Sequence, residues 1–187
     1  MKIVFLRGLA LAAAASLAAC STIPVGGSGG GIDVARFHLN QPVARGQIAV
    51  DAVDAADRNA RGFTLYRQAV ETQLRALGWT VVPATGQSEQ IAMIDVEQGS
   101  RSALAQRATI GGGARIGAGS ASPNLVTTLL EVSLRRRSDG SVFWEGRADA
   151  EGRTGTAAAD PAEVVPRLAA ALFQDFPGES GRTIRLR

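Results

Sequence analysis

Lysine is almost missing from this chain: Lys2 is the single one among 20 basic residues, and the rest are arginine. A phosphate loop of the form G-x-x-x-x-G-K-[S/T] is therefore excluded beyond the first residues. Histidine is as scarce, with His38 standing alone. Any Ser-His-Asp or Cys-His arrangement would have to use it, yet it sits between Phe37 and Leu39 in an apparent strand. A strand or surface role is expected for it. Cysteine occurs once, at Cys20, so no disulfide framework can form within the chain. Zinc sites draw on several Cys and His ligands, and neither a metal nor a cofactor is expected.

An excess of charge of one sign is also lacking. The chain has 20 basic and 17 acidic residues, a formal net charge of +3 and a sequence pI near 9.9. That pI overstates the field. With one His, one Tyr and one Lys, little titrates between the carboxylates and arginine, so a small excess moves the pI far. Lys2 and Arg7 fall in a segment expected to be removed, which lowers the net charge from +3 to +1. Nucleic acid is not an expected partner. At 45% hydrophobic and 20% charged, the composition is that of a globular chain.

The longest apolar run is short. Gly8 to Ala19 is uncharged but only about a dozen residues, whereas a helix needs roughly 20 to cross the ~30 Å hydrocarbon layer. After the basic start at Lys2 and Arg7, it reads as a signal peptide over residues 1–19. The run ends Leu17-Ala18-Ala19-Cys20, small residues that lie extended in a protease groove, then a thiol able to carry lipid. This resembles the lipobox of bacterial lipoprotein precursors. The resemblance implies a diacylglyceryl thioether on Cys20, cleavage before it and acylation of the new amine. Three acyl chains, at roughly 0.8 kcal/mol per buried CH₂, anchor stably. Ser21 follows, where Asp would imply inner-membrane retention. The resemblance thus implies an outer-membrane lipoprotein on the periplasmic face.

Residues 20–31 carry the lipidated Cys and a tether, Ser21 to Gly31 reading STIPVGGSGGG. Its root-mean-square reach is roughly 18 Å. Gly26 to Gly30 spells G-x-S-x-G, but a nucleophile elbow needs a strand before it and a helix after it, and neither is present.

Residues 32–187 read as one domain of 156 residues, enough to bury roughly two thirds of its unfolded surface. Ile32 to Leu39 and Gln47 to Val53 alternate as strands. Phe63, Tyr66, Val70, Leu74 and Leu77 form a single stripe and predict a helix closed by Gly78. Short and longer strands are expected at Trp79 to Pro83 and Gln90 to Gln98. Leu125 to Arg135 and Val142 to Glu151 alternate on either side of Ser138-Asp139-Gly140, a hairpin with one wet face. Leu125 and Leu129 are apolar exceptions on that face. Asp160, Pro161 and Glu163 open a second helix, with Pro177-Gly178 as its expected stop. Thr183 to Leu186 suits a terminal strand. The sum is an α+β fold, a two-layer sandwich of a mostly antiparallel sheet with two helices packed on one face.

Arg107 to Asn124 departs from this pattern, with five glycines between Thr109 and Ser120. It reads as a connector or as a contact for a partner or membrane. The lipobox, the helix ending LRALGW, the GGGARIGAG stretch, SDGSVFWEGRA and LFQDFPGESG together resemble bacterial lipoprotein domain-of-unknown-function family 4136, over about residues 35–187. The resemblance implies an α/β envelope domain and brings no reaction with it.

Candidate chemistry is sparse. Asp51, Asp54 and Asp57 are three apart but lack the glycine and distal Glu of a calcium loop, and read as loop carboxylates. Asp95 and Glu97 fall on one side of a strand, where paired carboxylates can act as acid and base. Arg115 in the glycine-rich stretch and Arg135, Arg136 and Arg137 beside the hairpin turn are candidate partner contacts, including lipid head groups. The expected function is a non-catalytic binding or structural module of the cell envelope, held to the membrane by its lipid, with an envelope protein as a possible partner. The alternatives are an envelope hydrolase built on carboxylates and an assembly factor that docks by a sheet edge.

Overall fold

A computed structural model describes residues 30–60, 62–104 and 123–187. The leader, Cys20, Ser21, the tether to residue 29 and the glycine-rich stretch with Arg115 lie outside the described residues. In chain order the elements are β1 (Ile32–His38), β2 (Gln47–Ala52), α1 (Phe63–Ala76), β3 (Thr80–Val81), β4 (Gln90–Gly99), β5 (Leu125–Arg136), β6 (Val142–Arg153), α2 (Pro161–Phe173) and β7 (Thr183–Leu186). The strands form one sheet in the order β3-β2-β4-β5-β6-β1-β7. β2 runs parallel to β3 and β4, and every other pairing is antiparallel. The parallel step from β2 to β3 needs a crossover, and α1 supplies it. β1 sits between β6 and β7, so the first and last strands of the domain are neighbours.

Both helices lie on one face, and the sequence explains their limits. The α1 stripe buries Val70 and Leu74, with Phe63, Tyr66 and Leu77 packed partly against the core. Gly78 takes φ +96°, the left-handed conformation that glycine enters without a Cβ penalty. The Gly78 amide then donates to the Arg75 carbonyl and the Trp79 amide to the Leu74 carbonyl, both at 3.0 Å. This closes the last turn as a Schellman motif and turns Trp79 inward. At the start of α2, the Asp160 carboxylate accepts from the Ala162 amide at 2.9 Å, with Pro161 and Glu163 in the first turn. Pro166 is accommodated within the helix. α2 stops earlier than Pro177-Gly178 suggests: it ends at Phe173, and Asp175 takes φ +55° two residues on.

Between the layers lies an aromatic core. Trp144 is fully buried, stacked on Phe173 at 5.3 Å between ring centres and tilted against Phe176 at 5.2 Å. Its indole N–H donates to the Pro177 carbonyl at 3.0 Å, so the polar end of the ring is satisfied. Gly146 lies beneath that ring: a Cβ there would run into Trp144 and Leu172. Arg36 enters the same side of the sheet. Its guanidinium donates to the Leu172 and Ala171 carbonyls at 2.8 Å each, capping the open end of α2. Burial pulls the Arg36 guanidinium below its ordinary pKa, opposed by Asp175.

The opposite face is not simply wet, which corrects the hairpin expectation. Residues 101–104 form a helical turn laid across it. Leu104 packs on Leu129, which accounts for that apolar exception. Thr127, Arg147 and Asp149 are buried on this face as well.

Candidate functional site

The densest charged cluster sits under that helical turn. The register sets Asp33 of β1 directly beside Asp149 of β6. Two carboxylates side by side across a ladder repel. Arg101 resolves this by reaching down from the turn. Its Nη2 lies 2.9 Å from Asp149 Oδ2 and 3.6 Å from Asp33 Oδ2, and its Nε donates to Glu151 Oε1 at 3.0 Å. Arg185 on β7 approaches Asp33 from the outer side at 3.8 Å. Two residues along β6, Arg147 is paired with Glu131 of β5 and lies in the field of Asp149 and Glu97.

The electrostatics follow from the burial. Asp149 is only 5% exposed. Burial lifts its carboxyl, Arg101 opposes, Asp33 and Glu151 add to the rise, and the pKa is raised to about 6. Burial pulls Arg101 down, but Asp149, Glu151 and Asp33 outweigh it and raise its pKa. Arg147 is lowered, by burial first, with Asp149 and Glu97 opposing. The cluster is therefore a clamp that takes up one proton near the acid end of the neutral range. It holds residues 101–104 against β1 and β6 just where the chain leaves for the glycine-rich stretch.

The sequence-picked residues are dispersed. Asp95 lines a cavity of about 210 Å³ between the end of β2 and the start of α1, together with Asp57, Phe63 and Tyr66. Glu97 lies outside that lining and faces Arg147 instead. Asp51 is held in a two-pronged pair by Arg58, at 2.6 and 2.8 Å, and Asp54 accepts from the Ala56 amide at 2.9 Å. Among the described residues no group of three or more His, Cys, Asp or Glu is placed to hold a metal ion. His38 Nε2 lies 3.0 Å from the Gly178 carbonyl and Nδ1 3.2 Å from the Asn40 amide, so the ring stitches β1 to the segment before β7.

The three hairpin arginines do not share a face. Arg135 donates to Ser133 Oγ at 3.1 Å on the clamp side. Arg136 donates to Ser141 Oγ at 3.0 Å and lies 5.7 Å over the Phe143 ring. Arg137 donates to the Ser88 carbonyl at 2.6 Å. The clamp itself escaped the sequence reading. Arg147, Asp149 and Glu151 alternate as wet-face residues do, and only the pairing with β1 brings Asp33 beside them. Cys20, Ser21 and Arg115 lie outside the described residues. Among the described residues no helix is long and apolar enough to cross a membrane.

No family model matches the chain. An uncharacterized protein of Zymomonas mobilis is 42% identical over 72 residues, which is 38% of this chain and 27% of that protein. The match thus spans about a quarter of the length of this curated relative. Similar solved structures include the PelC dodecamer from Paraburkholderia phytofirmans, at 15% identity and TM-score 0.46, covering 75% of this chain and 93% of that one. They also include a lipoprotein from Neisseria meningitidis, at 12% identity and TM-score 0.39, covering 68% and 94%. The resemblance to family 4136 likewise finds no matching model. Likenesses of this size transfer neither fold nor role.

Proposed function

We propose that the chain is a lipoprotein anchored in the outer membrane of a two-membrane bacterium, facing the periplasm and serving as a non-catalytic binding or structural module of the envelope. The observation that carries this reading is the run Leu17-Ala18-Ala19-Cys20-Ser21 followed by a glycine-rich tether that leads into a folded sandwich. The way the chain enters the domain supports it. β1 begins opposite the last residues of β6, with Ile32 beside Ala150, and β5 begins at the same end beside Arg153. The β5–β6 turn lies about ten residues further along the ladder, roughly 33 Å away. The eleven residues from Ser21 to Gly31 attach the lipid to the first end, which leaves the other end as the one toward the periplasm. Arg135, Arg136 and Arg137, though on different faces, then all lie at the end away from the anchoring lipid, where an envelope partner could reach them.

The charged residues support a module rather than a hydrolase, since Asp95 lines a cavity that Glu97 does not, and Glu97 lies in the field of Arg147. The edge strands β7 and β3, at four and two residues, offer little ladder to a partner that adds a strand. Cys20→Ser tests the core of the reading. The substituted chain is expected to lose its lipid, escape lipoprotein cleavage and leave the detergent phase, as intact mass and phase partition would show. A mature wild-type chain without lipid would refute it. Ser21→Asp is expected to move the protein to the inner-membrane fraction of a density gradient.

A further inference from the structure

We propose that the groove through which the chain enters the domain is a seat for the anionic lipid surface that carries the anchor. The inference rests on the lipoprotein reading and adds a second, non-covalent contact to it. The groove holds about 540 Å³, and the root of the tether, Gly30 and Gly31, forms part of its wall. Leu77 from the end of α1, Ala170 and Phe173 from α2, and Leu186 from β7 supply apolar walls. Arg167 and Arg187 stand at its rim, both exposed, and no Asp or Glu side chain lines it.

Two features choose the occupant. The first is chain length. Cys20 lies ten residues before Gly30, so a lipid at Cys20 can be no further than roughly 35 Å from the groove even with the chain fully extended. No other large surface is kept so close by the covalent structure. The second is chemistry. An anionic bilayer presents phosphates over acyl chains. Guanidinium groups bind phosphate in a planar fork, and an apolar trough accepts the chain region below. Ala170 occupies the solvent side of α2, where a longer polar side chain would fill the trough. Each arginine near an anionic leaflet shifts the docked population roughly fivefold. Two such contacts hold a tethered domain in one orientation, although the covalent anchor alone already keeps it at the membrane.

Cys20 is the only cysteine and its thiol is consumed by lipid, so one introduced cysteine labels cleanly. The lipidated mature protein carrying Ala170→Cys, labelled with pyrene, is placed in vesicles of phosphatidylethanolamine with a minor share of phosphatidylglycerol. Nitroxide attached at the head groups quenches the label. Ser138→Cys, in the exposed turn between β5 and β6, serves as the far-end control. The expected result is severalfold stronger quenching at position 170 than at position 138. That excess should fall in vesicles of phosphatidylcholine alone. It should also fall at least about 25-fold in docked population when Arg167→Glu and Arg187→Glu are combined. The lipid exchange leaves the protein unaltered, so the test stands even if the double variant folds poorly.

Equal quenching at the two positions overturns the proposal, as does an excess that survives both the neutral lipid and the double variant. Pyrene excimer emission at position 170 would mean that a second copy fills the groove, and overturns it too. Intact mass of the same preparation separates the two readings. A lipidated chain with equal quenching sinks only this inference, whereas an unlipidated mature chain sinks the lipoprotein reading and this inference with it.

Discussion

Replacing Asp149 by asparagine separates the two forces acting on the clamp. Burial favours the neutral carboxyl and Arg101 favours the carboxylate, and burial wins, since the pKa stands at about 6 against an ordinary 3.8. The folded protein therefore holds this proton more tightly than the unfolded chain does. The stabilisation that results is fully present below about pH 4 and is lost as the pH rises through about 6. Two pKa units at 1.36 kcal/mol each make it about 3 kcal/mol. Asp33, Glu151, Arg101 and Arg147 face position 149 in both proteins, so their own contributions largely cancel in the comparison.

The assay is urea unfolding of wild type and Asp149→Asn at intervals between about pH 4 and pH 7. The wild type should gain about 3 kcal/mol on the variant as the pH falls across that range. Parallel profiles would show that Asp149 does not titrate abnormally, and that water reaches it. A difference of opposite sign would show that the pair with Arg101 outweighs burial, and the clamp would then be a stabilising ion pair.

Three further substitutions test the packing. Trp144→Ala empties the centre of the aromatic core and should cost about 3–5 kcal/mol; a melting temperature within about 2 °C of wild type would contradict this. Arg36→Met removes both donors to the last carbonyls of α2 and should cost about 2–4 kcal/mol in chemical denaturation, because buried carbonyls are left unpaired. Gly152→Ala drives a methyl group into the Ala158 carbonyl, which is backbone and cannot swing aside; a loss of about 1–3 kcal/mol is expected by thermal melt.

What the sequence made legible was local. The α1 stripe, its Gly78 stop and the Asp160-Pro161 start of α2 each depend on residues within a few positions of one another, and each stands where the spacing put it. The Ser138-Asp139-Gly140 turn is of the same kind: the Asp139 carboxylate accepts from the Ser141 amide and hydroxyl, and Gly140 takes φ +71°. The end of α2 was misjudged because Asp175, a residue without a strong stop signal, adopts the left-handed conformation that was expected of glycine. The wet face was misjudged for a non-local reason. Alternation tells which residues share a side of the hairpin, but not that residues 101–104 return to cover it. The clamp needed still more, namely the pairing of β1 with β6, which joins positions more than a hundred residues apart.

The clamp ties register to docking. A slip of β1 by one residue would carry Asp33 to the helix side of the sheet and turn Val34, now wholly buried, outward. The apolar pattern alone opposes that slip. In the correct register, though, Asp33 meets Asp149, and that contact is repulsive until a cation arrives. Arg101 is that cation, and it can reach both acids only with residues 101–104 lying flat on the face, where Leu104 covers Leu129. An apolar lid would bury the same area at less cost in desolvation but would accept several positions on the sheet. Three carboxylates converging on one guanidinium accept few. The charged residues of this face thus fix where the chain departs for its glycine-rich stretch, at the end of the domain where the tether enters.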